Sequence, residues 1–444
     1  FLHLHILFFQ FYFQKHSFLF LVNKMSISTI LPLTLIIVFT VIFKKLNFSW
    51  LSPPVFFSSL WSFFIIAPLI FAPQYPMNAF GLWIITFFVF AVGLGSFFGN
   101  FINKRFISNT IKIINRKTFK ALFFLVIVMT CLSFTGLILL FFFGLSRFNL
   151  SNSLIDLLLL PNQFSMDRYS DVVVMPISIR LLMYFLFPAS LIGGVVFGYF
   201  KIGWRKAILL LPILLSVGYA FLLTTRSTMI LSFVLWISGF FASKILNHEE
   251  KTNFFKIRSL VSTSLLGISF IVIFVLMAWL REAGGEFIFA AMIENVRAYF
   301  FGYLSSFTQW SQNYNFENLS MGLITFAGPA DLIGLTNRGL GFYNEISILG
   351  ESHTNIFTAL RGVIHDYSIF GGFIFFLFFG FLSTIAYKRC LQNQILWIIP
   401  LSIFYAFTIY SPLISIFNYN SIIAAWVILA FSILFMPVIK RIIY

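Results

Sequence analysis

Apolar residues in this chain fall in long blocks rather than in the alternations or narrow stripes of soluble domains. From Met25 onward eleven such blocks can be read, with approximate limits 26–43, 54–72, 80–99, 121–144, 176–200, 207–223, 228–243, 259–280, 369–387, 395–410 and 422–439. Each approaches the roughly 20 residues that carry an α-helix across about 30 Å of hydrocarbon. The period-two pattern of a membrane β-barrel is absent, and no internal repeat is visible. The expected fold is therefore an all-α polytopic membrane protein of about 11 transmembrane helices. Helices 1–8 occupy 25–280 and helices 9–11 occupy 369–444.

Two connections are long. One is 145–175. The other, 281–368, is too long for a plain connector and is expected to carry function. It opens with REAGGEFIFAAMIENVRAYFFGYLSSFTQW, in which Glu294 and Arg297 stand at i, i+3. This stretch predicts an amphipathic helix at the membrane surface.

Composition agrees and excludes a soluble domain. Apolar residues make up 60% and charged residues 9% of the 444, against roughly 25% charged in soluble domains. The net charge of +16 need not mean nucleic acid, because excess Lys and Arg in a membrane protein first reports topology. Cys131 and Cys390 do not make a disulfide framework. No zinc spacing, Walker loop or dinucleotide fingerprint is present, and no Asp-x-Asp pair, so neither a metal nor a nucleotide cofactor is expected. Residues 1–24, rich in Phe and His, read as an upstream extension ahead of a start at Met25. The rival reading is an N-terminal anchor or signal segment.

Charge also orients the chain. One set of connections holds Lys44, Lys45, Lys104, Arg105, Lys112, Arg116, Lys117, Lys120, Lys201, Arg205, Lys206, Lys244, Lys251, Lys256, Arg258, Lys388, Arg389, Lys440 and Arg441. That side is expected to be cytoplasmic, with the N-terminus outside and the C-terminus inside. The opposite side holds Arg147, Arg168, Arg180, Arg226, Arg281, Arg297, Arg338 and Arg361, no Lys, and all acids except Glu249 and Glu250. Arg offers a planar fork for phosphate or carboxylate, whereas Lys is a hydrated point charge. Arginine without lysine on the outer face points to oxyanion recognition there. The plainer alternative is that these arginines make structural ion pairs.

Outer polar residues concentrate in three places. Thr224-Thr225-Arg226-Ser227-Thr228 is a tight hairpin at the hydrocarbon edge, where an Arg needs a partner or must snorkel to headgroups. Arg281-Glu282 ends the eighth block. The third runs from Asn337-Arg338 through Glu345, Glu351-Ser352-His353-Thr354-Asn355 and Arg361 to His365-Asp366 and Gly371-Gly372. There a short helix from Thr354 to His365 is expected, capped by Thr354 or Ser352, with Arg361 and His365 on one face.

The segment SHTNIFTALRGVIHDYSIFGGFIFFLFFG resembles the region before a late span in the bacterial O-antigen polymerases, which join oligosaccharide repeat units. Asn355, Phe357, Thr358, Arg361, Asp366, Gly371 and Gly372 carry the likeness. His353-Thr354-Asn355 is similar to the His-Asn element of the related O-antigen ligases, and TTRST resembles the Arg-bearing hairpin of the polymerases. The likeness covers about 40 residues and departs at Ser368, where a Gly commonly follows the acid and an aromatic.

The resemblance implies a glycosyltransferase on the outer face of the bacterial inner membrane. Its substrates would be polyprenyl-diphosphate-linked oligosaccharides and its product an O-antigen or capsular polysaccharide. The lipid bilayer, a chain-length regulator and a flippase are the expected partners, and no nucleic acid. His353 is the first candidate base, with Glu351 and Asp366 behind it. Arg361 is grouped with them as catalytic, since fixed positive charge is needed where the diphosphate leaves. Arg226, Arg281, Arg338, Asn355 and His365 are candidates for substrate contact. An O-antigen ligase, and from another class a lipid-linked oligosaccharide flippase, stay open as alternatives.

Overall fold

The computed structural model describes residues 27–47, 49–104, 116–150, 154–169, 175–200, 203–248, 289–315, 318–336, 345–350 and 352–435, with Val272 and Tyr343. Ten of the eleven expected spans coincide with helices. The eighth, 259–280, lies outside the described residues. The helices are α1 (Ile27–Asn47), α2 (Pro53–Phe71), α3 (Ala79–Lys104), α4 (Arg116–Arg147), α5 (Leu154–Tyr169), α6 (Ile177–Tyr184), α7 (Leu186–Phe197), α8 (Trp204–Leu223) and α9 (Arg226–Leu246). They continue with α10 (Phe289–Asn313), α11 (Ala327–Leu332), α12 (Thr358–Leu391), α13 (Ile398–Tyr410) and α14 (Asn420–Leu434). A two-stranded hairpin, β1 (Ser347–Leu349) and β2 (Ser352–Thr354), precedes α12.

Eight of these segments are long and apolar enough to cross a membrane, and α13 and α14 are shorter apolar helices. The chain is an all-α multi-pass membrane protein. Phe63, Phe142, Phe378 and Phe431 are exposed on its helices, as expected where the surrounding solvent is lipid.

Without a hydrophobic drive between helices in lipid, close approach depends on small residues. Two contacts show this. On α3, a Cβ at Gly95 would stand 1.9 Å from the Leu377 carbonyl oxygen of α12, and one at Gly380 would stand 2.3 Å from the Val92 carbonyl oxygen. Thr384 Oγ1 donates to Ser96 Oγ across the same contact at 2.9 Å. Between α7 and α9, a Cβ at Gly194 would lie 1.9 Å from the Trp236 carbonyl oxygen, and one at Gly239 2.4 Å from that of Leu191. The expected span 176–200 forms two helices, α6 and α7, that meet at Phe185. Pro188 sits in the first turn of α7, where its missing N–H costs nothing.

The outer segment departs from expectation at its end. No helix starts at Thr354: Ser352–Thr354 are strand, and α12 begins at Thr358 and continues, through a kink at Ser368, into the ninth span. The hairpin pairs Ser347 with Thr354, Ile348 with His353 and Leu349 with Ser352. Gly350 (φ +79°) supplies the left-handed backbone of its two-residue turn. Its buried face packs on α10, where a Cβ at Gly302 would meet Leu349 Cδ1 at 2.7 Å. The first N–H groups of a helix have no partner within it, and here Ala359 N–H donates to the Ser411 carbonyl just past α13, at 2.7 Å.

The 289–313 part of the predicted surface helix is present as α10. It is tied to α2 and to the 72–78 connection: Tyr303 Oη donates to the Phe64 carbonyl of α2 at 2.6 Å, Asn78 N–H to Thr308 Oγ1 at 3.2 Å, and Ser305 to the Pro76 carbonyl. Ala298, Leu304 and Phe307 are buried beneath it.

Within α12 the helix kinks at Ser368, whose φ of 64° and ψ of 179° lie outside the helical region. That combination is essentially a glycine conformation, with a cost of roughly 1–3 kcal/mol for other residues. Ser368 Oγ accepts from Gly371 N–H at 3.4 Å, a weak cap on the second half of the helix. Relief of strain should outweigh the cap, which is worth only a few tenths of a kcal/mol relative to Gly. Ser368→Gly is therefore expected to raise thermal stability in detergent, and Ser368→Val to lower it by roughly 1–3 kcal/mol. Equal stability of the two variants would mean that the backbone relaxes away from this conformation.

Candidate functional site

The turn of α12 ahead of the kink carries the site. Arg361 is buried, with 4% of its side chain exposed. Aromatic rings from three separate segments surround its guanidinium: Tyr343 with its centroid 4.1 Å from Cζ, Phe357 at 4.2 Å and Trp310 of α10 at 5.0 Å. One nitrogen, Nη2, donates to Glu345 Oε2 at 2.8 Å, and Glu345 is 65% exposed. Among the described residues, no acceptor reaches Nε or Nη1. A desolvated guanidinium with two open donors is costly unless something satisfies them. The hydroxyls of Thr358 and Thr325 are likewise buried without a partner. Thr358 is the first residue of α12, and a Cβ at Gly362 would lie 3.2 Å from Tyr343 Oη and 3.7 Å from Thr325 Oγ1. Burial pushes the Tyr343 phenol above its ordinary range, partly offset by the adjacent Arg361 charge, so it stands as a neutral hydroxyl.

Asp366 has no exposed surface. Its two carboxylate oxygens accept from the backbone N–H groups of Ile324 (3.1 Å) and Thr325 (2.6 Å). The N–H groups of Ser320 and Met321 reach the carbonyls of His365 and Asp366 at 3.2 Å each. Ser320 Oγ and His365 Nδ1 share a hydrogen bond of 2.8 Å. The His365 ring lies 5.2 Å from that of Tyr314, whose own phenol is raised by burial. Asp366 and His365 thus hold the 318–326 segment against α12. The expectation that Arg361 and His365 share a helical turn is met.

The other candidates are placed differently. His353 is exposed on the outer face of the hairpin, opposite the buried Ser352 and Thr354. Asn355 is half-buried in the link to α12. Arg226 opens α9 with Cζ 5.3 Å from the ring of Tyr299 on α10. Nearby, Tyr410 Oη and Tyr419 Oη are 3.1 Å apart. Glu351, Arg281 and Arg338 lie outside the described residues. Sequence reasoning missed Trp310, Tyr314, Ser320 and Thr325, which meet Arg361 or the segment beside it only through the packing of α10 and the 318–326 turn. Phe357, Tyr343 and Glu345 lay in the stretches it singled out but were given no role at the site.

Not every outer arginine belongs to this arrangement. Arg147 pairs with Asp167 at 2.9 Å, and Arg297 with Glu294 at 2.5 Å. Glu294 also accepts from Tyr75 Oη and Ser352 Oγ, both at 2.7 Å, so it clasps α10, the 72–78 connection and the hairpin together.

Family models, characterised proteins and solved structures were compared with the chain, and none matches it.

Burial pushes the Glu294 carboxyl up, but the Tyr75 and Ser352 hydrogen bonds and the Arg297 charge outweigh it, leaving Glu294 below its ordinary 4.5. A carboxyl lowered in the folded state adds stability above its unfolded value, and that stability is lost as pH falls through the folded value. Glu294→Gln should therefore lower the melting temperature in detergent at pH 7, and the difference should shrink toward pH 3. A difference that stays constant over that range would show that the clasp does not depend on charge.

Proposed function

We propose that this chain is a glycosyltransferase that joins polyprenyl-diphosphate-linked oligosaccharide repeat units into an O-antigen or capsular polysaccharide. It would act on the outer face of the bacterial inner membrane, with its N-terminus outside and its C-terminus inside. The observation that carries the reading is the buried Arg361, caged by aromatic rings and keeping two donors free. A lipid diphosphate is strongly anionic, and a guanidinium fork binds such oxygens in pairs. As the bond between sugar C1 and the diphosphate oxygen breaks, negative charge grows on the leaving group. A fixed cation in a site shielded from water stabilises that charge more than it would in bulk solvent. Aromatic faces beside it suit the apolar faces of sugar rings. The resemblance of the 352–380 segment to the polymerases points the same way, as does the outer face lined with arginine and lacking lysine.

Replacing Arg361 tests the reading. Lys keeps the charge and loses the fork. Arg361→Lys is expected to lose most polymer at normal membrane abundance, with a rate loss of about a hundredfold, corresponding to roughly 3 kcal/mol in the transition state. Arg361→Ala should lose at least as much. If Arg361 only pairs with Glu345 to hold the loop, Lys restores most polymer, and that result would end the bidentate reading. In an O-antigen producer, deleting the gene should leave surface glycan with at most one repeat unit. Long chains not joined to the lipid core would indicate a ligase instead, and repeat units trapped on the cytoplasmic face a flippase.

A further inference from the structure

The pair formed by Arg361 and Glu345 is unequal. The arginine is held on every side, by Trp310, Tyr343 and Phe357 around its plane, with 4% of its side chain exposed. Glu345 is 65% exposed and touches it through one oxygen at 2.8 Å. A salt bridge between a buried cation and an exposed anion is asymmetric in cost. Removing the glutamate returns it to water, but leaves the arginine desolvated and unpaired. The arginine also keeps two donors, Nε and Nη1, that Glu345 does not satisfy. A single carboxylate oxygen thus meets one of the guanidinium nitrogens and, among the described residues, leaves Nε and Nη1 without an acceptor.

Resting on the lipid-diphosphate reading above, we propose that Glu345 holds the anion site in the empty protein, is displaced when the diphosphate binds Arg361, and then serves as the general base for the acceptor. While its Oε2 accepts from Arg361 Nη2, that lone pair is not available to a hydroxyl. Once phosphate oxygens take the guanidinium, the carboxylate is free at the rim of the same site, beside the sugar whose C1 is to be attacked. The step balances. The acceptor hydroxyl gives its proton to the Glu345 carboxylate, and its oxygen forms the new bond to C1. The bond from C1 to the diphosphate oxygen breaks, and its electron pair leaves with the lipid diphosphate against Arg361. No oxidant, reductant or nucleotide is required. Of the other candidate bases among the described residues, Asp366 has both oxygens engaged by backbone N–H groups, and His353 is exposed on the outer face of the hairpin.

The proposal makes Glu345 inhibitory to binding and necessary for turnover, a combination that a structural ion pair does not produce. Glu345→Gln should be purified as the full chain in detergent and titrated with farnesyl diphosphate, beside the wild type and Arg361→Ala. Polymer length and membrane abundance should be followed in cells carrying the same variants. The expected result for Glu345→Gln is binding tighter by about tenfold, from loss of a close competing charge, together with polymer synthesis reduced by about a hundredfold or more at normal abundance. Glu345→Asp, which keeps the carboxylate, should recover part of the synthesis. Weaker binding by Glu345→Gln, or polymer near the wild-type level, overturns the proposal. If the wild type itself fails to bind farnesyl diphosphate, or Arg361→Ala binds it equally well, the diphosphate reading falls instead. Diphosphate binding that requires Arg361, with full polymer from Glu345→Gln, removes only the role given to Glu345.

Discussion

The segment between α10 and α12 depends on a carboxylate with no exposed surface. Asp366 stands two residues before the kink in α12, and its oxygens accept from Ile324 and Thr325 N–H. An unsatisfied carboxylate there would cost several kcal/mol. Hydrogen bonds to a charged acceptor are each worth about 1.5–3 kcal/mol, so the pair outweighs much of that cost only while the 318–326 segment stays in place. The dependence runs both ways: the segment gives up water for the carboxylate, and the carboxylate tolerates burial because the segment is there. The Thr325 carbonyl in turn accepts from Ser415 Oγ at 2.7 Å. One acid thus ties α12, the 318–326 turn and the turn after α13 into the wall against which Arg361 is set.

The arginine is tolerated for a different reason. Aromatic faces attract a cation, by up to about 2 kcal/mol each when desolvated, without competing for its N–H donors. Three carboxylates around the guanidinium would have satisfied it fully and closed it to any anion. Rings stabilise the charge and leave the fork open. Among the described residues, the acid that pairs with Arg361 is the exposed Glu345 rather than a buried one.

The spans were legible in the sequence because lipid imposes a length and a composition on every helix, and ten of the eleven blocks are helices at nearly the expected limits. The start of α12 was not. Ser352-His353-Thr354 carries capping residues, and only the pairing with Ser347–Leu349 turns it into strand, a contact that local pattern does not encode. Ser368 was legible as a departure from the polymerase-like pattern. Its physical meaning came with the backbone: it occupies a conformation that suits Gly. For the site, the charge asymmetry singled out the arginines, and helical spacing put Arg361 and His365 on one turn. The ring cage was invisible, since in a chain with 65 Phe no aromatic residue stands out until the fold chooses which three surround a charge.

That choice also separates the arginines expected on one side of the membrane: the ion-pair reading describes Arg147 and Arg297, and Arg361 is built differently. Arg147 and Arg297 are partly exposed and meet acids that are about equally exposed. Such pairs contribute little energy singly; Arg147–Asp167 links α4 to α5, and Arg297–Glu294 is an i, i+3 pair within α10. Arg361 is buried where its partner is not, and its donors outnumber the acceptors offered. A tie would be built with matched burial and matched hydrogen bonding, because any excess donor in a dry site is a cost with no structural return. Among the described residues, Nε and Nη1 of Arg361 are left without an acceptor, and the proposed diphosphate site rests on that excess.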